Sequence, residues 1–238
     1  MVSAAGAGVS AGVVAALLQF WLLVPVIGAA ELYESGERVH FTVAESGPAD
    51  SAAPDHGGAD HADDHAHGVG EMGLGRHAGT LVFTLATYIG FSLLLVAGFA
   101  LAARAGGIEV SARDGLVWGL GGFAATQLMP GLGLPPELPG SAAADLSARQ
   151  AWWLLTVVCT AAGLSLLVWL SGAAKLAGVA LVAVPHLIAA PHPEVFGGVT
   201  PPEMAAQFAA RALGVGAIAW AVLGWTAGYL WHRNDAAT

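Results

Sequence analysis

The densest group of chemically active side chains is the stretch DHGGADHADDHAHG, residues 55–68, which holds four histidines and four aspartates. Imidazole nitrogens and carboxylate oxygens are ligands for divalent ions such as Co²⁺, Ni²⁺, Zn²⁺ and Cu²⁺. Because a flexible segment loses conformational entropy when it wraps around an ion, such binding should be weak and rapidly exchanging. We therefore predict transient capture of a divalent metal, and no tightly bound cofactor, by His56, His61, Asp63, His65 and His67.

The same stretch also has a simpler interpretation, as a solvated acidic linker whose histidines are incidental. Ten of the seventeen acidic residues lie between Glu31 and Glu71. Six of the nine histidines, however, fall between His40 and His77, and this concentration favours metal capture. The residue types do not choose the metal, since an unconstrained site of this kind prefers Cu²⁺ to Co²⁺.

A second group of polar residues lies in two proline-rich segments. GLGLPPELPGSAAADLSARQAWW contains Glu137 and Asp145, and VPHLIAAPHPEVFGGVTPPEM contains His186, His192 and Glu203. Irregular backbone near a membrane is tolerated where it lines protein or water. We predict that these segments form an outer vestibule and that the five residues are candidate metal ligands.

Each of these five residues also has a local structural interpretation. Asp145 could pair with Arg149, four residues away on a helix, and Glu203 could be an acidic residue in the first turn of a helix. His186 and His192 could bond to backbone groups that the neighbouring prolines leave free. Only their convergence on one face favours a functional role.

The elements that must position these residues are membrane helices. Only 11% of the 238 residues are charged, against about 25% in soluble domains. No charged residue occurs in five intervals, each long enough for a span of roughly 20 residues: 1–30, 77–103, 115–136, 150–174 and 212–232. A sixth interval, 176–190, would rise only about 22 Å. The pattern predicts an all-α integral membrane protein, with a bundle of six transmembrane helices, or five if the short interval does not span.

This pattern divides the chain into three parts. We predict a first transmembrane helix at 1–30, a disordered His/Asp-rich external loop at 31–78, and a bundle of five helices, or four, at 79–238. The first helix could instead be a signal peptide, because Gly28-Ala29-Ala30 resembles a cleavage site. No Lys or Arg precedes that site, however, and the apolar run is long, so a retained helix is favoured.

Basic residues predict the orientation. Arg104, Arg113, Lys175 and Arg233 fall in short connections on one side of the six-span arrangement. The positive-inside rule weights such connections most strongly. We therefore expect a plasma-membrane protein with its N-terminus inside and its His-rich loop outside.

Polar residues within the spans should face other helices. A charge such as Arg211 is costly in lipid, so we expect it to face the bundle or a wet cavity and to pair with an acid. Gln19 and Gln127 are interpreted as interhelical hydrogen-bonding groups.

Paired glycines predict where helices approach closely. Gly8/Gly12, Gly115/Gly119 and Gly224/Gly228 each have the GxxxG spacing that allows close contact in membranes.

Several functional classes lack their signatures. There is no GxxxxGK[ST] loop for a nucleotide and no HExxH motif for a zinc hydrolase. The single cysteine, Cys159, excludes an internal disulfide and a CxxC site. We expect neither enzymatic activity nor a nucleic-acid partner.

Four segments carry a resemblance to a known family: GLPPELPG (133–140), DLSARQAWW (145–153), PHLIAAPHP (185–193) and PPEMAAQFAARAL (201–213). With the N-terminal span and the His-bearing loop, they make the sequence similar to the CbtA family of probable cobalt transporter subunits. The resemblance implies cobalt uptake connected with cobalamin synthesis. It also implies a partner, CbtB, a small single-span subunit with its own histidines.

We therefore expect a membrane subunit that imports a divalent transition metal, Co²⁺ before Ni²⁺ or Zn²⁺, with the loop collecting the ion. The alternative is a membrane-anchored metal-binding accessory or sensor protein that does not itself form the transport path.

Overall fold

The structure is a computed structural model, and it describes residues 2–40, 69–106, 109–194 and 197–235. The predicted loop ligands lie outside the described residues: His56, His61, Asp63, His65 and His67.

Six helical segments make up the described chain. Helix α1 runs through Val2–Leu18, a π-helical turn at Gln19–Leu23, and Val24–Glu34. Helix α2 is Val69–Gly106. Helix α3 runs through Ala112–Phe123, a second π-helical turn at Ala124–Leu128, and Met129–Gly133. Helix α4 is Leu146–Trp169, α5 is Lys175–Ile188 after a 3₁₀ turn at Gly172–Ala174, and α6 is Pro202–Asp235.

These helices confirm the predicted all-α membrane bundle. Four of them, α1, α2, α4 and α6, are long and apolar enough to cross a membrane. The short fifth interval is also helical, and the apolar segment Gly172–Ile188 is the shortest of the six. Its helix contains Pro185, whose missing N–H removes one helical hydrogen bond.

The helices next to the predicted loop are longer than the apolar intervals. Helix α1 continues to Glu34, and α2 begins at Val69. Residues 31–34 and 69–78, placed in the loop by hydropathy, are therefore helical. Hydropathy marks only the apolar part of a helix, so it does not detect the polar turns by which a helix continues beyond that part.

Glycines bring the helices together in the half of the bundle where α3 begins and α6 ends. A Cβ on Gly119 would lie 2.9 Å from Gly224 Cα, and one on Gly115 would lie 2.8 Å from Gly228 Cα. A Cβ on Gly8 would likewise lie 2.6 Å from Ile89 Cα on α2. Close approach at all three predicted glycine pairs is therefore confirmed, since Gly12 packs against α2 in the same way.

Two proline-rich connections meet at the other end of the bundle, which we call the loop end because α1 ends and α2 begins there. The connection between α3 and α4 is paired with the segment before α6, where Ala142 N donates a hydrogen bond of 2.9 Å to Gly197 O. Leu138, in the connection between α3 and α4, packs with Val26 and Ala30 of α1. The proline-rich segments and the attachment points of the His-rich loop therefore share one end of the bundle.

Candidate functional site

Two π-helical turns interrupt helices in the loop half of the bundle. One is Gln19–Leu23 in α1, and the other is Ala124–Leu128 in α3. Each is followed within two residues by a proline, Pro25 or Pro130. Proline removes a backbone donor from a helix, and single π turns occur frequently at functional sites.

Side chains from other helices bind backbone carbonyls in both π turns. The Arg211 guanidinium Nη1 of α6 donates to Leu22 O at 3.1 Å. The Trp153 indole Nε1 of α4 donates to Thr126 O at 3.1 Å. Thr126 is four residues before Pro130, whose missing N–H leaves the Thr126 carbonyl without that helical donor. A side chain from another helix thus binds each π turn and helps to fix its position.

The prediction that Arg211 pairs with an acidic side chain is therefore wrong. Arg211 does face the bundle, where it is half-buried, but its partner is a backbone carbonyl. Ion pairs among the described residues join other arginines to acids. The π turn provides an acceptor that the sequence pattern did not reveal.

Each π turn presents a glutamine to a neighbouring helix. Gln19 Oε1 accepts a hydrogen bond of 2.9 Å from the Thr84 hydroxyl of α2. Gln127 interacts with the Tyr88 side chain, and its Oε1 lies against Gly216, where a Cβ would collide with it. The prediction that both glutamines are interhelical polar contacts is confirmed.

The same two glutamines line a cavity of about 480 Å³, which we call the central cavity. Glu137 and Arg149 lie on its wall near the loop end, where Pro135 and Pro136 begin the connection after α3. Its other polar lining residues are Gln19, Tyr88, Thr126, Gln127 and Gln150. The central cavity therefore connects the proline-rich end of the bundle to the π turns.

A second cavity of about 540 Å³, the side cavity, lies between α1 and α2. It contains the ion pair of Arg76 Nη1 with Glu31 Oε1, 2.8 Å apart, and the His77 side chain. Gln19 and Leu23 line both cavities. The first π turn is thus the meeting point of two cavities that begin at the loop end.

Beyond the π turns the bundle is filled by aromatic and small side chains. Trp220 is 4% exposed and Phe99 is fully buried. The rings of Phe91 and Trp220 have centroids 4.8 Å apart. A Cβ on Gly122 would meet the Trp220 ring. This closely packed part of the bundle, which we call the closed half, lines neither cavity through these residues.

Among the predicted candidate ligands, Glu137 lies on the central cavity. Its Oε2 is 2.6 Å from Arg149 Nη2, and both side chains are less than one-third exposed. The arginine that local spacing assigned to Asp145 is thus paired with Glu137 instead. A carboxylate in this position puts charge at the cavity wall, balanced by the guanidinium.

Asp145 and Glu203 lie at helix starts. Asp145 caps α4, accepting hydrogen bonds from the Ser147 hydroxyl and from Ala148 N at 3.0 Å. The hydrogen bond from Ser147, followed by that from the Ala148 amide, lowers the pKa of Asp145. Glu203 is exposed in the first turn of α6, as its local interpretation predicted.

His186 and His192 lie where the end of α5 and the segment after it pack against the start of α4. The His186 ring packs edge-on against Trp152, with centroids 5.8 Å apart, and its buried Nε2 has no hydrogen-bond partner among the described residues. The exposed His192 places Nδ1 3.1 Å from Pro193 O and lines a groove with Trp152. Trp152 itself donates to Pro185 O at 3.1 Å.

All five candidates in the bundle therefore lie at the loop end, but they are spread over it. Within the described ranges, no group of three or more His, Cys, Asp or Glu side chains could hold a metal. We call these five residues the polar rim of the loop end. Of the five, Glu137 lines the central cavity and none lines the side cavity, so the arrangement is distinct from a preformed metal centre.

Sequence reasoning missed the cavity-lining role of Gln19, Gln127, Tyr88 and Thr126. The available signal was a polar residue shortly before a proline within an apolar helix, as in Gln19–Pro25 and Gln127–Pro130. Glu31, Arg76 and His77 were also missed as a group, because they come from opposite ends of a long loop.

The comparisons with known proteins place the chain in a family. Neither curated proteins nor solved structures gave a match. The family model described as "Probable cobalt transporter subunit (CbtA)" matches residues 1–232, nearly the whole chain. Together with the helices that can span a membrane, this match shows that the chain is a membrane protein of the CbtA family, the probable cobalt transporter subunits.

Proposed function

We propose that this chain imports a divalent transition metal, Co²⁺ before Ni²⁺ or Zn²⁺, and that its His-rich loop collects the ion outside the cell. The family assignment supports cobalt and transport. The direction is supported by the four basic residues in short connections, which favour an external loop. The acidic loop would also raise the local cation concentration.

One observation carries the proposal: both cavities begin at the end of the bundle that bears the loop, and both reach the first π turn. An ion released by the loop would meet the Glu31 and Arg76 pair, with His77, at the side cavity. It would meet Glu137 at the central cavity. No transfer across the bilayer is needed between capture and admission to the bundle.

The predicted relay residues form the polar rim of this end. We propose that they guide the ion by charge and transient ligation: Glu137, Asp145, His186, His192 and Glu203. His186 supports this role because its buried Nε2 has no hydrogen-bond partner among the described residues, so that nitrogen is unsatisfied in the fold.

The family description as a subunit also raises the question of the partner protein and of the membrane in which the two would assemble. We propose the plasma membrane, with the N-terminus inside, and a small single-span CbtB-like subunit as the partner. The closed packing around Trp220 supports a need for a second component or a conformational change before an ion could leave toward the cytoplasm.

A second candidate function is that of a membrane-anchored accessory or sensor protein. Its support is the lack of any cluster of three metal-ligating side chains in the described parts of the chain. In this case the loop would bind metal while the bundle would only anchor it or hold a partner.

Uptake into liposomes separates the two functions. The protein is reconstituted with and without the single-span partner, and Co²⁺, Ni²⁺ and Zn²⁺ influx is followed under imposed gradients. Transport predicts Co²⁺ influx that depends on the protein. No influx of any of the three ions under any gradient would favour the accessory function.

Deletion of residues 55–67 tests the collecting role of the loop. We expect a higher half-saturating Co²⁺ concentration with a nearly unchanged maximal rate, because the loop concentrates ions without forming the path. Replacing its four histidines by serine should act in the same way, whereas His232→Ser at the opposite end should not. Complete loss of uptake in the deletion variant would contradict a purely collecting role.

A further inference from the structure

We infer that Gln19 and Gln127, held by the two π turns, form a central binding site for a divalent cation that keeps its water shell. This inference deepens the proposed function, since it rests on a divalent ion reaching the central cavity. It names a site deeper in the bundle than the polar rim, with a different binding chemistry.

The donor atoms point to a hydrated ion. Around the π turns the central cavity is lined by neutral amide and hydroxyl groups, those of Gln19, Gln127, Tyr88 and Thr126. Its carboxylate, Glu137, lies nearer the loop end and is paired with Arg149. Mg²⁺ shows how a divalent ion is held without losing its shell: it keeps several waters and is bound directly through only one or two carboxylates. Neutral oxygens are therefore suited to accept hydrogen bonds from water that stays on the metal.

The cavity has the space for such an ion. Six waters occupy roughly 180 Å³ at about 30 Å³ each, whereas the central cavity has about 480 Å³. A bare ion would contact only a small part of the wall of this cavity. An ion with its first water shell could instead reach donors on α1, α2 and α3 at the same time.

Both glutamines are oriented by neighbouring side chains, and Gln19 keeps free bonding capacity. Gln19 Oε1 accepts one hydrogen bond, from Thr84, and an amide oxygen has two lone pairs. The backbone of its turn is fixed by Arg211, and that of the Gln127 turn by Trp153. A site held in place by surrounding contacts loses little entropy when it binds.

This chemistry has a consequence for selectivity. The Irving–Williams preference for Cu²⁺ arises from direct bonds between the metal and nitrogen, sulfur or oxygen ligands. A site that contacts only the water shell distinguishes ions by the charge and size of the hydrated ion. It should therefore not share the Cu²⁺ preference of the His-rich loop. Cu²⁺ would then have no advantage over Co²⁺ at the central site, because neither ion forms a direct bond to the protein there.

Equilibrium binding of radioactive Co²⁺ to the purified full chain tests the site. The background variant replaces His56, His61, His65 and His67 by serine, so that binding by the loop is removed. We expect one saturable Co²⁺ site to remain, and Gln19→Leu or Gln127→Leu to weaken it at least about tenfold, which corresponds to about 1.4 kcal/mol. The matched control is Gln207→Leu, an exposed glutamine on α6 that lines neither cavity.

A second variant and a second probe protect the test against misfolding and against direct ligation. Gly216→Ala keeps both glutamines but places a methyl group where the Gln127 oxygen lies, so it should also weaken binding. Hexaamminecobalt(III), whose ligands do not exchange, should compete with Co²⁺ because contact through the shell needs no ligand exchange.

Three results would overturn the site: no saturable binding in the background variant, unchanged affinity in both glutamine variants, or binding that hexaamminecobalt(III) does not displace. Liposome uptake by the wild-type chain is measured separately. Binding that depends on the glutamines without any uptake would contradict the proposed transport while leaving the site intact.

Discussion

The two halves of the bundle differ in how their helices meet. In the half opposite the loop, glycines allow backbones to touch, and Trp220, Phe99 and Leu223 fill the remaining space. In the loop half, prolines and π turns interrupt the helices, and polar side chains from neighbouring helices satisfy the exposed carbonyls. Close packing thus closes one half, while interrupted helices keep cavities open in the other.

The largest effect should follow from disturbing the closed half. Gly224→Ala would place a methyl group 2.8 Å from Gly119 Cα and close to Gly115 O. Backbone contacts cannot rotate away, so we expect a loss of about 3 kcal/mol in the free energy of unfolding. Thermal unfolding in detergent measures this loss.

Gly214→Ala on the same helix is the matched control, since a Cβ there meets no atom within 4 Å. Equal stability of the two variants would contradict the role of close glycine contacts in closing this half.

A smaller effect should follow from releasing a π turn. Arg211→Leu removes the charged donor to Leu22 O and leaves that carbonyl without its partner from α6. We expect about 2 kcal/mol of destabilisation and weaker Co²⁺ binding at Gln19, measured by thermal unfolding and by the binding assay.

Trp153→Phe makes the corresponding change at the second π turn. It removes one neutral hydrogen bond to Thr126 O, so a loss nearer 1 kcal/mol is expected. If neither substitution changed stability or Co²⁺ affinity, the π turns would not depend on contacts from outside their helices.

The smallest effect on stability should come from a substitution in the polar rim, at Asp145. Asp145→Asn keeps a side chain that can cap α4, so its thermal stability at neutral pH should fall only by the contribution of the charge, whereas Asp145→Ala should lose the cap as well and be less stable. Because the folded-state pKa of Asp145 lies below its ordinary value of 3.8, its charge stabilises the fold above that pH. This stabilisation is lost as the pH falls through the lower folded value.

Uptake by the stable Asp145→Asn variant then reports the contribution of the charge alone. We expect a modest fall in rate. An Asp145→Asn variant as unstable as Asp145→Ala would contradict the capping role.

The sequence predicts the helices much better than it predicts the cavities. Charge-free intervals locate all six helices, and glycine spacing locates the contacts of Gly115 and Gly119 with α6. The π turns escape such analysis because one inserted residue leaves an apolar run apolar. The central cavity escapes it because Tyr88, Gln127 and Gly216 come from three helices, and periodicity does not say which helices are neighbours.

Cysteine labelling on intact cells tests most directly whether the loop half is open to the outside and holds the ion. Thr126→Cys lies on the central cavity, whereas Thr226→Cys lies in the closed half and lines neither cavity. With a membrane-impermeant thiol reagent added outside, we predict that Thr126→Cys is modified, that Co²⁺ slows this modification, and that Thr226→Cys does not react. An unreactive Thr126→Cys, or a rate that Co²⁺ does not change, would contradict the account.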